Sequence, residues 1–423
     1  METKRFKLWH PAYGVVIASL SIMVATCTFL TYPSSLFINA IAEDFGISLG
    51  TAQLKMFTSG GTAVLMLPFV NKLYERFGFK PMVILGIFAY CGGFIGYALA
   101  PNVPLYLAAG IIQGIGNALC LFVAPTYMVN AWFDKGTSIA LLCTTVPASL
   151  ITSFTTPWVN SLIQTHGWRS AMITVSVIGI IIGGVCCLIW ANPNPEAKGL
   201  RPFGYSGEKK AKEDNGALTV RGVSGSVAKK NYILYLFFFI AISNALFSNI
   251  MRYASPIATT SGFTESQAAQ AISLYSAGMA ICQLIGAGLV AKLGTRNFTL
   301  AFCAVNILSL IGLMYNGGSF VVFAVCLMLC AFSGATYMQS LALKEVYGIM
   351  DYPSILSIVM IGVNFCNMFG ASLYGYAYDL TQSYNTILWV QIVMVALSMA
   401  FTYVIYKKKD TLPWTEKAVT KEK

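Results

Sequence analysis

Two cations stand inside stretches of chain that are otherwise apolar, Lys55 and Arg252. An ionised side chain at the centre of a membrane span costs roughly 2.5 to 3.5 kcal/mol or more, so such residues are read as ligands or ion-path groups by default. Arg suits a carboxylate because its planar fork gives two parallel hydrogen bonds, whereas Lys offers a point charge. Facing one cavity, the two would form a positive outer vestibule for an anion. The competing expectation is snorkelling, in which the stem stays in lipid and the charged end reaches the external headgroups. That expectation weighs more for Lys55, near the start of its span, than for Arg252, which lies deep in a later span and is followed by Tyr253 and by Pro256, where the helix is expected to break.

Neutral polar candidates within apolar stretches are Asn117, Tyr127, Asn244, Asn249, Gln283, Tyr337, Gln339, Asn364 and Asn367. Each taken alone also fits a helix-to-helix hydrogen bond. No Asp or Glu falls well inside a span, which disfavours proton symport through a carboxylate relay. The 11 Cys form no CxxC pair, and the two His, His10 and His166, are far apart. That pattern carries no zinc or disulfide signature and implies neither a metal nor a cofactor.

The elements that must position these groups follow from composition. Of 423 residues, 57% are apolar and only 10% charged, against about 45 to 50% and about 25% in soluble domains. Soluble enzymes and nucleic-acid binders are thereby excluded, and an integral all-α membrane protein is implied. A bilayer core about 30 Å thick needs roughly 20 helical residues. Apolar runs of that length number twelve, at 12–40, 50–71, 82–100, 104–130, 137–164, 170–191, 231–258, 267–290, 297–316, 319–342, 354–378 and 386–406. The first follows a basic Lys4-Arg5-Phe6-Lys7 segment but is too long for a signal peptide, so it reads as a retained span.

Placing both termini in the cytoplasm leaves 24 of the 27 basic residues inside, all but Lys55, Arg169 and Arg252. The positive-inside rule then orients the chain. The expected organisation is a six-helix half over 1–191, a flexible cytoplasmic linker over 192–230, a second half over 231–406 and a cytoplasmic tail over 407–423.

The halves share an element. Glu75-Arg76-Phe77-Gly78-Phe79-Lys80 follows span two, and Ala291-Lys292-Leu293-Gly294-Thr295-Arg296 follows span eight. A cation, a Gly two residues on and a second cation two further recur at a fixed displacement. The Gly permits a tight turn while the cations stay in an anionic interface.

This repeat resembles the loop between spans two and three of the major facilitator superfamily. Asn71 and Ala287 replace the family's first Gly; Glu75 replaces its Asp, and Ala291 stands at that place in the second copy. A cytoplasmic gate built on Glu75, Arg76, Gly78, Lys80, Lys292, Gly294 and Arg296 would therefore be one-sided. Within the superfamily the likeness is to the monocarboxylate porters and the bacterial oxalate/formate antiporter. Carrying it are Ala42-Glu43-Asp44-Phe45-Gly46-Ile47-Ser48 with Gln53, Trp132-Phe133-Asp134-Lys135, and Gly167-Trp168-Arg169.

Members that grip carboxylates commonly have an Arg in span eight, and the antiporter has a Lys in span eleven. Gln283 and Val363 occupy those places here, while Tyr32 matches an aromatic place in the antiporter. The resemblance implies two pseudo-symmetric six-helix halves and alternating access. The expected activity is secondary transport of a small organic anion, a carboxylate, by exchange, in a monomer of the plasma membrane without a nucleic-acid partner. The alternative is efflux of lipophilic or neutral compounds, favoured by the aromatic content and the missing clamp.

Overall fold

The computed structural model describes residues 11–418 except 122, 134–135, 193–194, 196–202, 204–218, 332–336 and 349–350. Nearly all of them are helical. By contact the chain forms two compact units, Met1–Phe45 with Lys55–Tyr205, and Gly46–Leu54 with Ser206–Lys423.

The first unit opens with α1 (Pro11–Met23), a π-helical stretch (Val24–Thr31) and α2 (Ser34–Phe45). Then come α4 (Lys55–Phe77), α5 (Phe79–Leu99), α6 (Val103–Gly116), a π-helical turn (Asn117–Leu121), α7 (Val123–Trp132) and α8 (Thr137–Trp190). Between α2 and α4 the short α3 (Leu49–Ala52) packs within the second unit.

The rest of the second unit runs through β1 (Thr219–Gly222), α9 (Gly225–Lys230), α10 (Tyr232–Ser248), a 3-10 turn (Asn249–Tyr253) and α11 (Ala254–Thr260). It continues with α12 (Glu265–Met314), α13 (Phe320–Cys330), α14 (Tyr337–Tyr347), α15 (Tyr352–Thr381), α16 (Asn385–Lys408) and β2 (Thr415–Ala418).

Among the described residues nine helices are long and apolar enough to cross a membrane. One of these, Ile139–Trp190, turns at Gly167 and supplies two passes. At the places of the two remaining expected spans stand α4, which carries Lys55, Lys72, Glu75 and Arg76, and α13 with α14 on either side of residues 332–336. Large apolar side chains stay uncovered, such as Phe154 at 81% and Leu380 at 86% exposure. In a bilayer these are the lipid-facing positions, because hydrocarbon rather than water is the solvent there.

The repeated loop turns as its spacing predicts. Gly78 has φ 87°, ψ 144° and Gly294 has φ 76°, ψ 155°. This region is essentially reserved for glycine, because a Cβ would clash with the backbone.

Three local differences from the expectations have physical causes. Span one is divided by the π-helical stretch and a turn at Tyr32-Pro33, since Pro33 lacks the N–H that a continuing helix needs. In span seven the helix tightens over Asn249–Tyr253, upstream of Pro256. The proline ring crowds the carbonyl four residues back, that of Arg252, so the distortion precedes the proline.

The third concerns the polar stretch 192–230, in which Thr219–Gly222 is a strand and Gly225–Lys230 a helix. β1 pairs antiparallel with β2, from Thr219↔Ala418 to Gly222↔Thr415. Val223 N–H donates to the Tyr347 carbonyl at 2.8 Å and Gly225 N–H to the Asp351 carboxylate at 2.7 Å. Backbone pairing of this kind leaves no mark in side-chain composition, which is why the segment reads as flexible.

Candidate functional site

Lys55 opens α4 and is 1% exposed, so it does not snorkel to the surface. Its ammonium lies 5.3 Å from the Tyr97 ring centroid and 5.9 Å from that of Tyr106, both within the roughly 6 Å reach of a cation–π interaction.

Helix periodicity explains the cradle. Tyr90, Gly93 and Tyr97 form one stripe of α5, and Tyr106, Gly110, Gln113 and Asn117 form one stripe of α6. A Cβ on Gly93 would lie 2.5 Å from that of Gln113, so the two helices touch there backbone to backbone. Gly110 likewise leaves room for Thr58 and the Lys55 carbonyl.

This contact seats Gln113 in a buried polar chain. The Tyr97 hydroxyl donates to Gln113 Oε1 at 2.6 Å, and the Gln113 side chain also reaches Tyr90. The Tyr90 hydroxyl lies 2.6 Å from Thr31 Oγ1, which itself donates to the Thr26 carbonyl at 2.9 Å. Thr31 ends the π-helical stretch, and Asn117 begins the other. Such stretches leave main-chain groups and side chains out of α-helical register and recur at functional positions. Tyr32 and Asn117 are half-buried. Tyr127 stacks on Phe79 at 5.3 Å and neighbours Tyr74, which places it by the Gly78 turn and apart from Lys55.

In the second unit Arg252 is half-buried on the 3-10 turn. Its neighbour Tyr253 stacks on Tyr374 at 5.4 Å and donates to the Leu49 carbonyl at 3.5 Å. Asn249 is fully buried, packs against Gly370 and donates to the Ala245 carbonyl at 2.8 Å. Its Oδ1, like Gln283 Oε1, has no hydrogen-bond partner among the described residues. Asn244 and Asn367 are half-buried and Asn364 is exposed. The side chains of Tyr337 and Gln339 lie outside the described residues.

In the repeated loop Glu75, Arg76, Lys292 and Arg296 are exposed and Lys80 is half-buried. Arg296 lies over the Tyr403 ring at 5.1 Å. Arg169 has a separate part. Its guanidinium pairs with Asp44 at 2.7 Å, donates to the Ala98 and Ala100 carbonyls and lies over Trp168 and Phe45. Two of the quoted sequence motifs thereby meet, at the common end of α2, α5 and the second half of α8.

Among the residues that sequence reasoning missed, Tyr97 and Tyr106 flank the buried lysine, Gln113 and Tyr90 continue the polar chain from Tyr97, and Tyr253 and Tyr374 stack on one another next to Arg252. For those on α5 and α6 the signal was their recurrence on glycine-bearing helical stripes.

The family model of the Major Facilitator Superfamily matches residues 17–344 and 236–423. The chain belongs to the major facilitator superfamily. It is a membrane transporter and not an enzyme. Monocarboxylate transporter 4 of Gallus gallus is 25% identical over 416 residues, covering 91% of this chain and 81% of that protein. The uncharacterized MFS-type transporter YcxA of Bacillus subtilis is 24% identical, covering 83% and 85%.

Solved structures show the same fold. A D-xylose-proton symporter aligns with TM-score 0.69 at 12% identity over 93% of this chain and 96% of its own. A bacterial homolog of the human lysosomal transporter Spinster, inward-facing and unoccupied, aligns with TM-score 0.66 at 14% identity over 97% and 99%.

Proposed function

We propose that this transporter moves a small organic anion, a carboxylate, across the plasma membrane by alternating access, exchanging one anion for another. The observation that carries the reading is Lys55, a cation kept inside a membrane span against the faces of Tyr97 and Tyr106. Cation–π contact offsets about 2 kcal/mol of a desolvated charge, and an ionisable residue inside a span is a functional-site candidate by default. A carboxylate is the counter-charge that such a lysine would hold. Arg252, beside the break in the helix, supplies a second cation able to hold a carboxylate with two hydrogen bonds. The resemblance to monocarboxylate transporters supports the same substrate class. Tyr97 and Tyr106 are wholly covered, so contact between Lys55 and a substrate requires a second conformation in which the cradle opens.

The test is flux through the purified full chain in proteoliposomes. A panel of radiolabelled mono- and dicarboxylates is compared with neutral lipophilic compounds of similar size. Saturable carboxylate uptake supports the reading; uptake confined to neutral compounds overturns it.

A further inference from the structure

At one end of the second unit, two neighbouring helices carry cations next to a face that only lipid can cover. The second pass of α12 starts beyond the turn at Gly294 and has Arg296 in its first turn, while α16 closes on Lys407 and Lys408. The two helices pack on each other, and the Arg296 guanidinium lies 5.1 Å from the Tyr403 ring centroid. Tyr403 and Lys407 are four residues apart on α16, so they are neighbours on one face. We infer that Arg296, Tyr403 and Lys407 hold the headgroup of one anionic phospholipid.

The first support is the line on which two of these residues stand. Trp389, Val393, Ala396, Ala400, Tyr403 and Lys407 recur every three or four residues along α16, and all are exposed. They form one stripe along the helix. In a bilayer its apolar part faces hydrocarbon, and the stripe ends in a phenol and an ammonium. Apolar surface and cations therefore follow each other in the order in which acyl chain and phosphate are joined in a phospholipid. A soluble anion would use the cationic end alone.

The second support is positive charge left without a carboxylate. Among the described residues neither Arg296 nor Lys407 has an ion-pair partner. The Glu345 carboxylate, at the same end, accepts from the Tyr406 hydroxyl at 3.1 Å and pairs with Lys409 at 3.5 Å. In the first copy of the repeated loop Glu75 precedes Arg76, whereas the second copy has Ala291 at the matching place. The ring contact steadies the Arg296 guanidinium, and its fork of N–H donors matches the oxygens of a phosphodiester. A headgroup of net negative charge is favoured by each nearby cation, while a zwitterionic one brings its own ammonium and gains little.

Native mass spectrometry of the full chain tests this, with phosphatidylglycerol and phosphatidylcholine of identical acyl chains and soluble glycerol 3-phosphate as probes. One phosphatidylglycerol molecule is expected to be retained in preference to phosphatidylcholine. Arg296→Gln and Lys407→Gln should each weaken its binding about fivefold, and the double variant about 30-fold. Both side chains are exposed, so neither change disturbs the core. Arg76→Gln, beside Glu75 in the other copy, should leave that binding unchanged. Equal retention of the two lipids, undiminished binding in the double variant, or glycerol 3-phosphate binding as tightly as the lipid would each overturn the inference. An equal loss in Arg76→Gln would overturn it too, because it would show general attraction to basic loops in place of a site.

Discussion

At the scale of single residues, the two cations make separable demands. Lys55 is buried against rings, so replacing it with an apolar side chain of similar length removes a desolvation cost as well as a charge. Lys55→Met is expected to keep or raise the thermal midpoint while carboxylate transport falls. A large drop in the midpoint would show that Lys55 serves the fold instead. Tyr97→Phe has the opposite signature: the ring stays under the lysine, but Gln113 Oε1 loses the donor it holds at 2.6 Å. An unmatched buried acceptor costs about 1 to 3 kcal/mol, so stability should fall while transport per folded molecule changes little. Arg252 is less enclosed and forked, and Arg252→Gln is expected to weaken substrate binding about 10- to 150-fold, the loss of a charge-assisted bond of about 1.5 to 3 kcal/mol. Arg252→Lys should recover only part of that. Unchanged affinity in Arg252→Gln at normal expression would reject Arg252 as a ligand.

At the scale of elements, the glycines at the repeated turn are the most exposed to test. Gly78 and Gly294 share φ and ψ to within a few tens of degrees, and a residue with a Cβ there pays about 1 to 3 kcal/mol of strain. Gly78→Ala and Gly294→Ala should each lower stability by that amount, read from thermal unfolding in detergent. Gly184→Ala, with open space around its Cβ position, should leave it nearly unchanged. A loss at Gly184 equal to that at Gly78 would mean that backbone conformation is not the cause. These turns were legible in the sequence because cation and glycine recur at a fixed spacing. The spans were legible too, because apolar length is a direct consequence of bilayer thickness. Lys55 and Arg252 stood out as charges in apolar runs, but the cradle did not. A tyrosine on an apolar helix reads equally well as an interfacial anchor, and Gln113 gains its place only because Gly93 lets α5 and α6 touch. The π-helical stretches were hidden for a different reason, since a shift from four- to five-residue hydrogen bonding has no composition of its own. Arg169 shows the reverse case: it breached the charge rule, and Asp44, in another of the quoted motifs, accounts for it.

For the whole molecule, orientation and coupling follow from charge. The excess of Lys and Arg on one set of loops predicts both termini in the cytoplasm. On a thiol-free background in intact cells, cysteine at position 265 should react with an impermeant reagent and cysteine at position 210 should not; the reverse pattern would invert the topology. The proposed exchange coupling is argued from Lys55 and Arg252, two cations within spans that contain no deeply placed carboxylate. An empty carrier must change conformation without an anion bound at either cation, which is costly in a low-dielectric setting. A bound carboxylate about 4 Å from either cation recovers on the order of 4 kcal/mol at an effective dielectric near 20. If even about 1.4 kcal/mol of that survives in the barrier between states, the loaded carrier crosses about tenfold faster than the empty one. Protonation offers no comparable relief, since it adds positive charge unless it falls on a carboxylate. Proteoliposomes preloaded with substrate should therefore take up labelled substrate about tenfold faster than empty ones, and an imposed pH step should drive little accumulation. Equal uptake with and without internal substrate would reject exchange, and strong accumulation driven by pH alone would place a proton-carrying group in the path that neither cation explains.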